Sequence, residues 1–207
     1  MPQDHSILIT GCSTGIGYAC AHGMKARGWR VVATARNQKD VNRLEGEGLE
    51  VLPLDYTDAK SIAACADETL KRTDGRLTAL FNNGAHGQPG AVEDLPVKAL
   101  REVFDANFFG WHDLTRRLIP AMRKQGHGRI VQNSSCLGLV SLKYRGAYNA
   151  TKFAIEALSD AMRQELAGTG VHVSLIEPGP IASDFVKISL AKYRANIDLK
   201  NSVHAEV

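Results

Sequence analysis

Tyr148 and Lys152 stand four residues apart at the start of a helical stretch, which puts both side chains on one face, one turn from each other. A phenol has a reference pKa of about 10, so near neutral pH it needs a nearby cation to act as a useful proton donor and acceptor. Lys152 can supply that charge. Ser135 closes an apolar run just before the loop that leads into Tyr148, where its hydroxyl can share a carbonyl oxygen with the phenol. The three together read as acid/base chemistry at a carbonyl or alcohol. A lone YxxxK would read equally well as two exposed residues on a helix, and Ser135 is what separates the readings.

Near the start of the chain, TGCSTGIG (Thr10 to Gly17) places Gly11, Gly15 and Gly17 between a β-like run and a helical stretch. Missing Cβ atoms there let the backbone approach a pyrophosphate held on the helix N-terminus. The spacing is GxxxGxG rather than GxGxxG, so the common dinucleotide fingerprint does not match as written, and an ordinary tight turn is the alternative. Thr10 and Ser13 can add hydroxyl donors to the loop. In VVATARN, Ala35 stands where an NAD-binding sheet carries an acidic residue for the ribose 2′-OH, and Arg36 follows with a planar fork suited to a 2′-phosphate. This favours NADP(H) over NAD(H), against the alternative of a solvated surface arginine.

These residues need elements to hold them. Short β-branched runs at 6–10, 30–35, 50–55, 77–82, 128–135 and 171–177 alternate with stretches long enough for helices, such as 57–72 and 148–167. Such alternation predicts a single α/β domain, a doubly wound Rossmann-like parallel sheet with helices on both faces. Sheets of this kind bind ligands beyond the carboxyl ends of their strands. The glycine loop, Arg36, Asp55, Asn82 with Asn83, Ser134 with Ser135, and Pro178 with Gly179 each follow or close one of the six runs. All six groups are therefore expected on one rim.

Composition excludes several classes. A chain of 207 residues, 44% hydrophobic and 23% charged, is neither disordered nor collagen-like. The formal net charge of +3 comes from scattered basic residues, so no nucleic-acid partner is expected. No window approaches the roughly 18 to 20 apolar residues of a membrane span, and the first run begins too early to leave room for a signal peptide. A cytoplasmic protein is the resulting expectation. Cys12, Cys20, Cys65 and Cys136 show no CxxC or Cys/His spacing, so neither a metal site nor a disulfide framework is expected. Cys12 reads as a small tolerated residue in the loop rather than a redox-sensitive thiol.

In TGCSTGIG, FNNGA, Asn107 of NFFG, Ser135, YNATK (Tyr148 to Lys152) and PGPIAS (Pro178 to Ser183), the sequence resembles the short-chain dehydrogenase/reductase family, from Ser6 to about Phe185. The resemblance implies that Ser135 positions the substrate carbonyl and Tyr148 is the general acid/base. Lys152 would bind the nicotinamide ribose and lower the tyrosine pKa, and Asn107 would hold a water in a proton relay. It further implies that Thr10, Gly11, Ser13, Gly15, Ile16, Gly17, Arg36, Asp55, Asn83, Tyr148, Lys152, Pro178, Gly179, Ile181 and Ser183 border the dinucleotide. By residue type alone Asn107 reads as a capping or turn residue, and Asp55 as an N-cap for the helix after Thr57. The small residues Ala150, Ala154, Ala157 and Ala161 share one face of a helix, expected to pack on its own sheet. In the family the same helix often forms a dimer face, so a homodimer is the implied assembly.

The sequence departs from the family pattern twice. Asn82, Asn83, Gly84 and Ala85 stand where the family usually has NNAG, so a methyl at Ala85 could crowd the cofactor unless Gly84 absorbs the shift. Family members also usually continue through a substrate lid, a helix and a seventh strand. Residues 1–185 are therefore expected to form the dinucleotide-binding and catalytic domain, and 186–207 the incomplete start of a lid. The leading functional expectation is an NADP(H)-dependent oxidoreductase interconverting an alcohol with a ketone or aldehyde, its small-molecule substrate apolar. The alternative is a dinucleotide-binding regulator or scaffold that has lost turnover. A methyltransferase on a similar sheet has no use for Ser135, Tyr148 and Lys152.

Overall fold

The computed structural model describes residues 5–205; the ends of the two expected segments, 1–4 and 206–207, lie outside it. Six parallel strands, β1 (Ser6–Ile9), β2 (Arg30–Ala35), β3 (Glu50–Pro53), β4 (Ala79–Asn82), β5 (Gly128–Asn133) and β6 (Val171–Ile176), form one sheet in the order β3-β2-β1-β4-β5-β6. The chain winds outward from β1 to β3, then returns beside β1 at β4 and winds the other way. That reversal opens a crevice at the strands' carboxyl ends.

Among the described residues seven α-helices connect or follow the strands: α1 (Gly15–Ala26), α2 (Gln38–Gly46), α3 (Ala59–Arg72), α4 (Val97–Phe104), α5 (Gly110–Gln125), α6 (Gly146–Glu165) and α7 (Phe185–Asn196). Alternation within the strands divides the core in two. Ile7, Ile9, Val31 and Ala33 pack with Ala21 of α1 and with Val41 and Leu44 of α2. Leu8, Val32, Leu80 and Ile130 pack on the opposite face with Ile62, Leu114, Leu118 and Met162 from α3, α5 and α6. Successive strand residues point to opposite faces, so continuous apolar runs are what a sheet covered on both sides requires. β6 is an edge strand, and His172, Ser174 and Ile176 of its alternating set are exposed.

The strands end one or two residues before several of the apolar runs do, at Ile9, Pro53 and Asn133. The N-cap of α3 is Asp58, whose carboxylate accepts from Lys60 N. Asp55 does not cap it; its Oδ1 accepts from the Thr57 amide at 2.9 Å and the Thr57 hydroxyl at 2.8 Å, a local turn. The expected packing of the small-residue series on the sheet is also overturned. Ala150, Ala157 and Ala161 are exposed, and α6 instead buries Thr151, Lys152, Ile155, Ser159 and Met162. The segment expected to begin a lid forms α7 and the turns after it.

Candidate active site

A cavity of about 940 Å³ lies at the carboxyl ends of the strands. Of the residues expected to bind or react, Gly11, Ser13, Gly15, Ile16, Arg36, Asp55, Asn83, Ser135, Tyr148, Lys152, Pro178, Gly179, Ile181 and Ser183 all line it. Thr10, Gly17 and Asn107 do not; they are buried behind its wall.

The glycine loop leaves the room that a diphosphate would need. Gly11 and Gly15 have φ of +67° and +63°, the left-handed region that favours glycine. A Cβ on Gly17 would lie 2.4 Å from the Gly11 carbonyl oxygen and 2.5 Å from Asn83 Nδ2, so only glycine lets α1 approach the loop this closely. The first turns of α2 and α3 are capped by Asn37 and Asp58, whereas Thr14 places no side-chain cap on α1. The leading amides of α1 are thus left without a side-chain acceptor at the cavity, as an anion would need. These features fit a dinucleotide.

One expectation about the loop changes. Thr10 offers no hydroxyl to a ligand: its Oγ1 donates to Phe81 O at 3.3 Å and accepts from the amides of Asn83 at 2.8 Å and Gly84 at 3.1 Å. The Cys12 thiol is fully buried, donates to Ile9 O at 3.1 Å, and is pushed up to about 12 by burial, which leaves it unreactive. Arg36 is exposed at the end of β2 and makes no hydrogen bond or ion pair among the described residues.

The cavity floor is a chain of amides. Asn83 Nδ2 donates to the carbonyls of Thr10 at 2.8 Å and Gly11 at 3.2 Å, and Asn133 Nδ2 donates to Asn83 Oδ1 at 2.8 Å. This ties the ends of β1, β4 and β5 together. The Gly84–Ala85 exchange belongs to the same floor. A Cβ on Gly84 would meet Tyr56 Cε2 at 3.2 Å and the Gly11 backbone at 3.3 Å, and the Tyr56 hydroxyl donates to Asn82 Oδ1 at 2.9 Å. Tyr56 fills the room that a methyl at 84 would take, and the methyl is found at Ala85 instead. Asn133 and Tyr56 escaped the sequence reading; Asn133's adjacency to Ser134 and Ser135 was a usable signal, whereas nothing local marked Tyr56.

Ser135, Tyr148 and Lys152 come together as expected. Ser135 Oγ accepts from Leu137 N at 3.1 Å, which fixes the hydroxyl at the mouth of β5. Burial pushes the Tyr148 phenol up to about 12, and hydrogen bonding to Ser135 pulls the other way. Lys152 is buried, donates from Nζ to Asn133 O at 2.6 Å and lies 4.5 Å from the centroid of the Trp111 ring. Its amine falls to about 7, mainly through burial, with the Glu156 charge opposing. The expected lowering of the tyrosine by Lys152 is therefore absent. Desolvation dominates both groups, and an amine that has itself lost affinity for its proton brings little charge to the phenol. Phe185 of α7 packs edge-on against Tyr148 with ring centroids 5.5 Å apart, so α7 covers the reacting groups.

Asn107 lies in a π-helical turn, Asp105–Phe109, between α4 and α5. Its Oδ1 accepts from His86 N at 3.1 Å, and its Nδ2 donates to His86 O at 2.8 Å and reaches Thr151 Oγ1 at 3.4 Å. The inserted turn rotates this side chain inward to pin the 84–88 segment. It is neither a cap nor a surface turn residue.

The model of the family described as short chain dehydrogenase matches residues 5–194. The chain belongs to that family. An uncharacterized oxidoreductase, YbbO of Escherichia coli strain K12, is 46% identical over 180 residues, covering 87% of this chain and 67% of that protein. Human retinol dehydrogenase 8 is 34% identical over 204 residues, covering 91% of this chain and 64% of its own. A short-chain dehydrogenase from Streptomyces avermitilis superposes with a TM-score of 0.83 at 37% identity, over 87% of this chain and 67% of that one. The chain thus spans about two thirds of these relatives. As a short-chain dehydrogenase it is an oxidoreductase of a family that acts on CH–OH donors with a nicotinamide dinucleotide, on an α/β fold with one parallel sheet. No helix among the described residues is long and apolar enough to cross a membrane, and none of their His, Cys, Asp and Glu side chains cluster as a metal site.

Proposed function

We propose that the protein is an NADP(H)-dependent oxidoreductase that interconverts an apolar alcohol with its aldehyde or ketone. The observation that carries this reading is one cavity holding both Arg36, unpartnered beside Ala35, and the Ser135, Tyr148 and Lys152 group. A structural neighbour, an actinorhodin polyketide ketoreductase variant, has NADPH bound, and another, from Burkholderia phymatum, has NAD; Arg36 is what supports NADP(H) in this reading. The glycine loop and the α1 amides would hold the diphosphate, Arg36 the 2′-phosphate, and Asp55 and Asn83 would border the adenosine. Pro178, Gly179, Ile181 and Ser183 would flank the nicotinamide.

The bound dinucleotide supplies the hydride exchanged with the substrate carbon. In reduction, the Ser135 hydroxyl donates to the carbonyl oxygen and orients it. Tyr148, protonated throughout the working range because burial holds its pKa at about 12, gives its proton to that oxygen. The phenolate left behind favours the protonated form of Lys152, whose Nζ lies 5.5 Å from the ring centroid, so the amine takes up a proton as the tyrosine gives one away. Oxidation reverses these transfers. The exposed small residues of α6 and exposed Phe153 would form a face for a second copy, so the reading includes a dimer, in the cytoplasm.

Arg36 gives the direct test of cofactor choice. A charge-assisted pair contributes roughly 1.5 to 3 kcal/mol, so Arg36→Ala should weaken NADPH binding about 10- to 150-fold and leave NADH nearly untouched. Titration of nicotinamide fluorescence reads both constants. Equal loss for the two cofactors would contradict the assignment.

A further inference from the structure

Two arginines line the cavity, Arg36 and Arg145, and neither guanidinium has a hydrogen bond or ion pair among the described residues. Lys192, by contrast, also lines it but is paired with Glu102 at 3.5 Å. Arg36 ends β2, whereas Arg145 precedes α6, which follows β5; these strands are three places apart in the sheet, roughly 14 Å at the usual spacing. The two arginines therefore reach the cavity from opposite halves of the sheet. Arg145 immediately precedes α6, and Tyr148 and Lys152 follow within it, so Arg145 lies about one turn from Tyr148 in the direction away from Lys152.

The rim carrying Arg145 is fixed. The buried Asn149 side chain donates from Nδ2 to Leu137 O at 2.9 Å and Val140 O at 2.8 Å, and its Oδ1 accepts from Leu142 N at 3.5 Å. Tyr144 takes a left-handed backbone, φ +63°, rare for a side chain of its size, and its carbonyl accepts from Gly90 N at 3.1 Å. This strained turn delivers the chain directly into Arg145 and α6. Leu137, Leu142, Phe185 and Val186 line the same cavity and give part of its wall an apolar surface. An exposed cation and the less exposed hydroxyls of Ser135 and Tyr148 in one cavity define a two-point site.

We propose that Arg145 is a substrate anchor, and that the substrate is an apolar carbonyl compound or alcohol carrying a carboxylate at its far end. The carbonyl oxygen sits between Ser135 and Tyr148, the apolar body lies along Leu142 and Val186, and the carboxylate meets the guanidinium, whose fork matches its two oxygens. This deepens, and rests on, the reading of the cavity as a nicotinamide oxidoreductase site.

The test uses the whole chain loaded with NADPH and a series of ω-oxo carboxylic acids of increasing length, each paired with its methyl ester. Binding is read from NADPH fluorescence and turnover from nicotinamide absorbance. The proposal expects an acid of matching length to be held and reduced about tenfold better than its ester, with the preference weakening as salt is raised. Arg145→Gln should bring the acid down to its ester, and Arg145→Lys should retain part of the preference. A protein that binds NADPH but holds acids no better than esters overturns the anchor while leaving the oxidoreductase reading intact, and so does a preference that survives Arg145→Gln. A protein that binds neither NADPH nor the acids overturns both.

Discussion

Lys152 is among the largest fully buried side chains of the protein, and its surroundings explain how a lysine can sit there. The Asn133 carbonyl accepts one of its protons, the Trp111 ring faces its charge and Glu156 adds a distant negative charge, yet burial outweighs them and holds the amine at about 7. Against an ordinary value of 10.5, the folded protein carries fewer protons than the unfolded chain between pH 7 and 10.5, so stability rises with pH across that window. Below pH 7 the cost of the buried ammonium is present in full. The thiols of Cys12 and Cys65, raised from 9.0 to about 12, act in the opposite sense only above pH 9. Urea denaturation of the cofactor-free protein should therefore show a gain on the order of 1 to 2 kcal/mol from pH 7 to 9, and Lys152→Met should flatten it. A slope shared by both proteins would place the titrating group elsewhere.

At the scale of elements, the close approach of α1 to the glycine loop makes a sharp prediction. Gly17→Ala puts a methyl into the Gly11 carbonyl and the Asn83 amide, so the loop must move, and NADPH affinity should fall at least tenfold. Gly23→Ala, on the same helix, meets only the flexible end of Arg27 at 3.3 Å and should leave affinity unchanged while adding up to about 1 kcal/mol of stability. Parallel fluorescence titrations and thermal melts compare the two, and equal behaviour would contradict the account of the loop. The strands were legible because apolar runs bounded by polar ends have few alternatives in an alternating α/β pattern. The orientation of α6 was not. Periodicity shows that Ala150, Ala154, Ala157 and Ala161 share a face, but the buried face carries Thr151, Lys152 and Ser159, residues that hydropathy alone sends to solvent. The placement of α7 over Tyr148 was equally hidden, since it depends on Phe185 finding a ring distant in sequence.

At the scale of the molecule, the rim expected from six strand ends is the cavity that forms, because a doubly wound sheet sends every carboxyl end the same way. Residues adjacent to those ends were readable for that reason. Supports that reach the rim from elsewhere were not: Tyr56 under Gly84 and Trp111, which donates to Gly84 O at 2.8 Å, act across long sequence distances, and Asn149 clamps the 137–142 loop from within the next helix. What the whole arrangement is built to do rests on one proton at one atom. The most direct measurement follows NADPH absorbance with a panel of apolar and carboxylate-bearing aldehydes and ketones, for the natural protein and for Tyr148→Phe. Carbonyl-dependent oxidation of NADPH should be seen, and Tyr148→Phe should reduce it by roughly 10²-fold or more with NADPH affinity little changed. NADPH binding with no carbonyl-dependent oxidation, or a Tyr148→Phe protein that keeps its rate, would contradict the account.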